Sequence, residues 1–479
     1  MAFLPASNLQ ISGSLGPIYI NQHDLDTDPM SNSDMQNLNV SGKPRTEIGT
    51  FRIIWLLFVL FLIPLVGFVH RLVINMLIDP IAIEFELSDT AASILQGPPF
   101  AVVYGLMVIP MGLLADRGNR ILLLTCGALI WSCGTLICGL ASTFELLFAA
   151  RVAVGLGEAV LIPCVVSLVG DSFSKHQRGL AMSVFFVGIN AGFSSAYAIG
   201  GFLLDLATAD QFDWIIFISE LSPWRQVFVL LAIPGFLLPL LLLSISEPKR
   251  HQVANKEGFA GPVRELFASR QLTIILFLLM AQAGILAIAD NGIYAWLPRL
   301  LTRAHEMGAT QTGVTLGVIA AIAGAAGGPF AGAVSDNFAK RIGISGPIVA
   351  ILGGISIALV ATPLFAQQSL LSVYMATALW VTALVGATTA TFTFVSVAAP
   401  SHLRGVAASL VSCTIALVGL GLGPTTIAVV MDGFGLARNH VGGAILASVM
   451  PLCIIALSLV TLLLRATNQF RRNTEQASR

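Results

Sequence analysis

Twelve stretches of roughly 20 mostly apolar residues constrain this chain more than any other feature. They centre near Phe61, Val102, Leu129, Ala159, Ala191 and Pro234, then near Ala283, Ala320, Leu352, Leu384, Ala416 and Leu452. A run of that length crosses the hydrocarbon core of a bilayer as a helix, which satisfies its own backbone where no water is available. The composition agrees. Of 479 residues, 56% are hydrophobic and 10% are charged, with a mean hydropathy of +0.86. A water-soluble domain is typically about a quarter charged, so lipid must form part of this chain's solvent. The predicted fold class is an all-α membrane protein of twelve transmembrane helices. A formal net charge of zero gives no reason to expect a nucleic-acid partner.

The runs fall as six, a break, and six more. The break reads EPKRHQVANKEGFAGPVRELFASR, from Glu247 to Arg270, the longest charged stretch of the interior. The expected organisation is therefore a disordered N-terminal tail over 1–50, a six-helix bundle over 51–246, a linker over 247–270, a second bundle over 271–466 and a tail over 467–479. No apolar h-region precedes Phe51, so the first 50 residues do not read as a signal peptide. Basic residues fix the orientation. If the N-terminus is cytoplasmic, 19 of the 25 Lys and Arg residues lie in inner loops and tails, and four (Arg225, Arg299, Arg303, Arg438) lie near the outer face. Both termini, the linker and both tails are thus expected in the cytoplasm, and the chain in the inner (plasma) membrane.

The two sets of six repeat one another. After span two the chain reads Gly112-Leu-Leu-Ala-Asp116-Arg117-Gly-Asn-Arg120, and after span eight Gly332-Ala-Val-Ser-Asp336-Asn-Phe-Ala-Lys340-Arg341. After span four comes Arg178-Gly179-Leu-Ala181-Met-Ser183, and after span ten Arg404-Gly405-Val-Ala407-Ala-Ser409. The offsets are 220 and 226 residues. Matched loops at equivalent places in each half are the mark of transporters that build a site between repeats. The bundles are therefore expected to be pseudo-symmetric. The glycines allow spans two and eleven, or eight and five, to approach closely. The aspartates can accept from a helix N-terminus, and the arginines can pair with acids. Such loops either form a conformational latch (Gly112, Asp116, Arg117, Arg120, Asp336, Arg341, Arg178, Arg404) or are solvated basic turns.

The loop Gly112, Leu114, Asp116, Arg117, Arg120 resembles the signature of the major facilitator superfamily. Within it, the Spinster-like group is most similar, on Leu87-Ser-Asp89, Gly155-Leu-Gly157-Glu158-Ala159, Pro223-Trp224-Arg225 and Pro234-Gly235. The anion:cation symporter group shares part of the pattern. The resemblance covers nearly all of the chain after residue 50. It implies the major facilitator fold, secondary transport by alternating access, and a central cavity lined by spans one and four.

Ionisable residues inside spans are costly and mark candidate function. His70 and Arg71 lie in span one, Arg151 and Glu158 in span four, and Asp290 in span seven. Arg151 and Glu158 are seven residues apart, two turns along one face, with Gly155 between them. Burial disfavours a charged carboxylate and a nearby guanidinium favours it, so Glu158 is the leading proton carrier. Arg71 or Arg151 would neutralise it or bind an anionic group of the substrate; the alternative is a permanent ion pair joining spans one and four. His70 stands where the Spinster-like pattern usually has Asp. It either carries a proton or hydrogen-bonds within the bundle. Asp290 and Tyr294 share a face of span seven, for substrate contact or anchoring of the helix end. Asn190 and Gln282 are uncharged lining candidates or interhelical glue. Glycine and proline in spans eight (Gly324, Gly327, Gly328, Pro329) and eleven (Gly419, Gly421, Gly423, Pro424) predict close packing and flexing.

No cofactor or metal is expected, and the six cysteines read as small buried hydrophobes. No HExxH, GxSxG or phosphate-cradling motif is present, so a multispan enzyme or receptor is the remote reading. The expected function is a secondary transporter, a monomer, moving a small organic anion or amphiphile with a coupling ion, H+ above others. A lipid or lysolipid exporter is the alternative.

Overall fold

The computed structural model describes residues 50–174, 177–248, 250, 260–342, 345–400, 403–437 and 439–477. The expected disordered tail lies almost wholly outside them, as does the middle of the expected linker. The described residues within Ile54–Arg479 pack as one compact unit.

Among the described residues, twelve helices are long and apolar enough to cross a membrane. Spans 1 to 6 run Arg52–Glu84, Asp89–Arg117, Arg120–Leu140, Phe144–Ser172, Arg178–Thr208 and Pro223–Leu243. Spans 7 to 12 run Arg270–Ala304, Ala309–Arg341, Gly346–Ala366, Leu370–Ala398, Arg404–Gly433 and Val441–Phe470. The last helix continues to Ala477, through most of the stretch expected as a tail. A short helix, Ala260–Leu266, falls in the expected linker. The end of the bundle where span 1 begins carries most Lys and Arg and is called the basic end; the opposite end is the far end.

Helix starts follow local chemistry. Ser88 Oγ accepts from Ala91 N at 3.2 Å, Asn119 Oδ1 from Leu122 N at 2.8 Å, and Thr143 Oγ1 from Leu146 N at 3.2 Å. Each cap satisfies an amide that the helix itself leaves without an acceptor. Serines and threonines within spans return their hydroxyls to carbonyls four residues back, as Ser132 does to Ala128 and Thr377 to Val373. That keeps them tolerable in lipid.

Small residues set the closest approaches. A Cβ on Gly157 would lie 2.6 Å from the carbonyl of Gly127, so spans 3 and 4 meet backbone to backbone. Gly317 admits the Ser194 carbonyl of span 5 (2.6 Å from its would-be Cβ), and Gly292 that of Gly423 in span 11 (2.8 Å). Gly327 in span 8 packs in the same way on Thr382 of span 10. Such contacts rely on dispersion, since lipid supplies no hydrophobic drive between helices.

Several spans are interrupted near mid-length. Span 1 breaks at Val73, span 2 at Gly97 and span 4 at Ala159–Val160. Span 11 widens to a π-helical turn over Ile415–Leu420, and span 7 ends in one over Leu300–Ala304. The causes are partly visible in the sequence. Pro98 and Pro99 cannot donate to Ile94 and Leu95, and Pro163 cannot donate to Ala159. Interrupted helices of this kind gather around ligand sites in transporters.

Candidate functional site

The interruptions of spans 1 and 4 set Arg71 and Glu158 face to face. Arg71 Nε donates to Glu158 Oε2 at 2.9 Å, and Nη2 donates to the same oxygen. Glu158 has no solvent exposure, whereas the Arg71 side chain retains 12%. An Arg–carboxylate fork normally uses both oxygens. Here Oε1 is buried with no hydrogen-bond partner among the described residues. An orphan carboxylate oxygen shut off from the surface costs free energy and leaves a position for a proton or a donor. Around this pair the guanidinium of Arg71 lies 4.4 Å from the ring centres of both Phe68 and Phe100, and 5.3 Å from that of Tyr104. The charge is thus held in an aromatic setting that favours cations.

Arg151 lies beside this pair but faces backbone. It donates to Leu95 O at 3.3 Å, to His70 O at 3.5 Å and to Arg71 O at 3.0 Å. The Leu95 carbonyl is the one that Pro99 leaves without a helical donor. Arg151 is buried and thereby satisfies carbonyls at the interruptions of spans 1 and 2, holding the residue that carries Arg71. No carboxylate pairs with it within 4.0 Å among the described residues.

His70 points the other way. Its Nε2 lies 2.7 Å from Leu231 O in span 6 and its Nδ1 3.1 Å from Thr135 Oγ1 in span 3. Those partners suit a neutral ring with Nε2–H donating. The structure therefore separates His70 from Glu158, and the four charged residues of spans 1 and 4 do not form one cluster.

Asp290 is half-buried and accepts from the Trp380 indole at 3.1 Å. No cation pairs with it among the described residues. The Tyr294 ring packs edge-on to Phe193 across the two halves, with centres 4.5 Å apart, and its carbonyl accepts from Tyr197 OH at 2.9 Å. Gln96 continues this polar layer to Asn75 Oδ1 at 3.0 Å and to Ala295 O at 3.3 Å. Asn190 is exposed on span 5 and donates to its own helix at Phe186 O. Gln282 is fully buried and bonds Thr391 of span 10 at 3.3 Å, which is interhelical glue.

Two closures at the far end escaped sequence reading. The first is a four-charge group. Arg299 and Arg303 of span 7 meet Asp79 of span 1 at 2.9 and 2.7 Å, and Asp89 of span 2 at 3.6 and 3.0 Å. The second is a reciprocal pair of helix caps. Asp432 of span 11 accepts from Thr90 N of span 2, and Asp205 of span 5 accepts from Thr310 N of span 8, both at 2.8 Å. Thr90 and Thr310 are 220 residues apart, and Asp205 and Asp432 are 227 apart. These offsets lie within one residue of the 220 and 226 seen in the basic loops, so the repeat itself points to them.

At the basic end the matched loops are not engaged with one another among the described residues. Asp116, Arg117, Asp336 and Arg341 are exposed, and none carries a described hydrogen bond or ion pair. Among the described residues, a Cβ on Gly112 would meet only Pro163 of span 4, at 3.9 Å, and one on Gly332 nothing within 4 Å. Those glycines therefore do not mark a close approach to spans 11 or 5 in this conformation. Arg120 is buried within the first six spans, bound to Asp171 at 2.5 Å, Glu247 at 2.6 Å and Ser167 O at 3.1 Å. Arg178 and Arg404 play matched parts, donating at 3.2 Å to Phe173 O and Ala399 O, each five residues back.

Residues 56–424 match the sequence profile of the Major Facilitator Superfamily. An MFS-type efflux pump of Mycolicibacterium smegmatis is 27% identical over 59% of this chain and 62% of its own length. The sphingosine-1-phosphate transporter SPNS2 of Danio rerio is 26% identical over 46% of this chain and 42% of its own. The chain thus spans less than two thirds of these relatives. A crystal structure of a bacterial homologue of the human lysosomal transporter Spinster, inward-facing and unoccupied, superposes with a TM-score of 0.73. That likeness, at 24% identity, covers 88% of this chain and 98% of the homologue.

Proposed function

The chain belongs to the Major Facilitator Superfamily, and from that membership we propose that it is a proton-coupled secondary active transporter of an organic anion with an apolar body. One observation carries the reading: an Arg71–Glu158 pair in which the buried Glu158 Oε1 has no hydrogen-bond partner among the described residues. Protonation at Oε1 would discharge Glu158 and release Arg71. The freed guanidinium, flanked by Phe68, Phe100 and Tyr104, would then bind the anionic group while the rings take the apolar part. The Glu158 carboxylate and the substrate anion would thus compete for one arginine, so that a proton on Glu158 favours substrate on Arg71, which is the differential interaction that coupling requires. Asp290 and Tyr294 would contact the substrate from the other half, and Asn190 would line its path.

The far-end closures and the disengaged basic loops support alternating access between two six-helix bundles, 51–246 and 271–466, joined by the 247–270 linker. The basic loops would latch when the far end opens. The clustering of Lys and Arg at the basic end supports placing that end, with both termini, on the cytoplasmic side of the plasma membrane. One copy of the chain is the working unit, and no catalysis is assigned.

Proteoliposomes with an imposed proton gradient test the core of this reading. Glu158→Gln is expected to abolish gradient-driven accumulation while retaining solute exchange down its own gradient. Accumulation by that variant at the wild-type level would remove the coupling role from Glu158. The aromatic surroundings of Arg71, together with a relative named for sphingosine-1-phosphate transport, favour as a second reading an anionic lipid or lysolipid substrate. Competition of uptake by short-chain anions against single-chain lipids separates the two.

A further inference from the structure

Between spans 5 and 6, at the far end, the chain exposes a cluster of large apolar side chains outside any span. Trp214 is 79% exposed, Ile216 83% and Phe217 93%. They sit on a run of consecutive turns closed by Ile215 N to Phe212 O at 2.9 Å and Ile218 N to Ile215 O at 2.9 Å. Ile218, on the underside, is only 5% exposed, so the segment has one face on the bundle and one face free. Its level is fixed from both sides. Span 5 ends at Thr208 and span 6 begins at Pro223. Glu84, the last residue of span 1, accepts from Ser222 Oγ and Trp224 Nε1, each at 2.6 Å, and from Arg225 at 2.6 Å. The start of span 6 is thereby tied to the end of span 1, and the loop between spans 5 and 6 leaves the bundle where those spans end.

We propose that residues 212–218 are an interfacial anchor whose partner is the bilayer itself, with Trp214, Ile216 and Phe217 seated at the boundary between headgroups and acyl chains. Four points favour lipid as the occupant. Side chains this apolar are seldom left as a contiguous patch in water. The loop begins where span 5 ends and ends where span 6 begins. Tryptophan prefers that depth, where its ring is apolar and its N–H can reach water or a headgroup. The nearby charges, Asp210, Asp213 and Glu220, are exposed and acidic, with no Lys or Arg between residues 208 and 223. Recognition is therefore apolar and independent of anionic lipid. Because span 5 packs along span 8 of the other half, such an anchor would hold the first half at a fixed depth while the second moves against it.

The full-length protein and its Trp214→Phe variant, each reconstituted in phosphatidylcholine vesicles, provide the test. Their difference emission isolates Trp214 among six tryptophans. The expected difference spectrum is blue-shifted from that of tryptophan in water and resists iodide. It loses more intensity in phosphatidylcholine brominated high on the acyl chains than in lipid brominated near the methyl end. Emission at the water position, quenched by iodide and indifferent to brominated lipid, overturns the proposal. Protection from both quenchers also overturns it, because the loop would then lie against protein. Phe217→Trp in the Trp214→Phe background reads a second position by the same criteria, should the first comparison be lost to poor reconstitution.

Discussion

Arg71 and Glu158 are coupled tightly enough that changing one must be felt by the other. Removing a single partner of a buried pair costs about 3–5 kcal/mol, whereas replacing both with apolar groups is often neutral or better. Arg71→Ala is therefore expected to lose substrate binding and thermal stability together. Arg71→Met combined with Glu158→Leu should regain much of the stability and none of the binding. Direct binding measured alongside thermal unfolding checks this; binding retained in Arg71→Ala would reduce the pair to a structural tie. His70 makes a contrasting case. Its hydrogen bonds to Leu231 O and Thr135 Oγ1 predict that His70→Ala costs about 1–3 kcal/mol of stability and leaves the pH profile of transport in place. A changed profile with unchanged stability would return His70 to the coupling machinery. Arg71 and Glu158 were legible as charges set in apolar runs. The direction of His70 was not, because consecutive residues lie about 100° apart around a helix and nothing local says which one faces the cavity. The aromatic cage was hidden for a related reason: nothing in the sequence sets Phe100 and Tyr104 of span 2 against Arg71 of span 1.

Among the elements, the interruptions of spans 1 and 2 have one residue in common. Arg151 bonds carbonyls in spans 1 and 2 from its place on span 4, so it orients the arginine next to the break and does not itself face an anion. The Pro98–Pro99 pair was the visible cause of one freed carbonyl; that a guanidinium from span 4 would answer it was not visible. The reciprocal caps belong to this scale too. Asp205 and Asp432 each finish a helix of the opposite half. A cap is worth about 0.5–2 kcal/mol, and these should lie toward the low end because both carboxylates are exposed. Asp205→Ala or Asp432→Ala alone is expected to raise the far-open population several-fold, and the double variant more, as spin-label distances across the far end would register. No change in those distances for the double variant would make the caps ornamental to the transition.

For the molecule as a whole, twelve spans and their pairing into sixes followed from hydropathy and from loops repeating at 220 and 226 residues. The ionic closure of the far end did not, because Asp79, Asp89, Arg299 and Arg303 lie outside the loops that repeat, on three different spans. Arg299 and Arg303 were counted only as outer-face charges, although their spacing puts them on one face of span 7. Asp79→Asn with Asp89→Asn is expected to move the equilibrium toward the far-open form by about tenfold, the equivalent of ~1.4 kcal/mol, again by distance measurement. The shift should shrink at high salt less than for surface pairs, since Arg299 is buried and poorly screened. An unshifted equilibrium would mean that the apolar seams alone close this end.

The two caps have a consequence for how the protein can be watched. Amides in the first turn of a helix have no acceptor within it, so the hydrogens on Thr90 N and Thr310 N depend on a carboxylate borrowed from the other half. When the far end parts, each loses its acceptor and meets water. Their deuterium uptake would therefore report the conformational cycle without any label, one amide for the seam of spans 2 and 11 and one for the seam of spans 5 and 8. Unequal uptake at the two would reveal a molecule that opens on one side first.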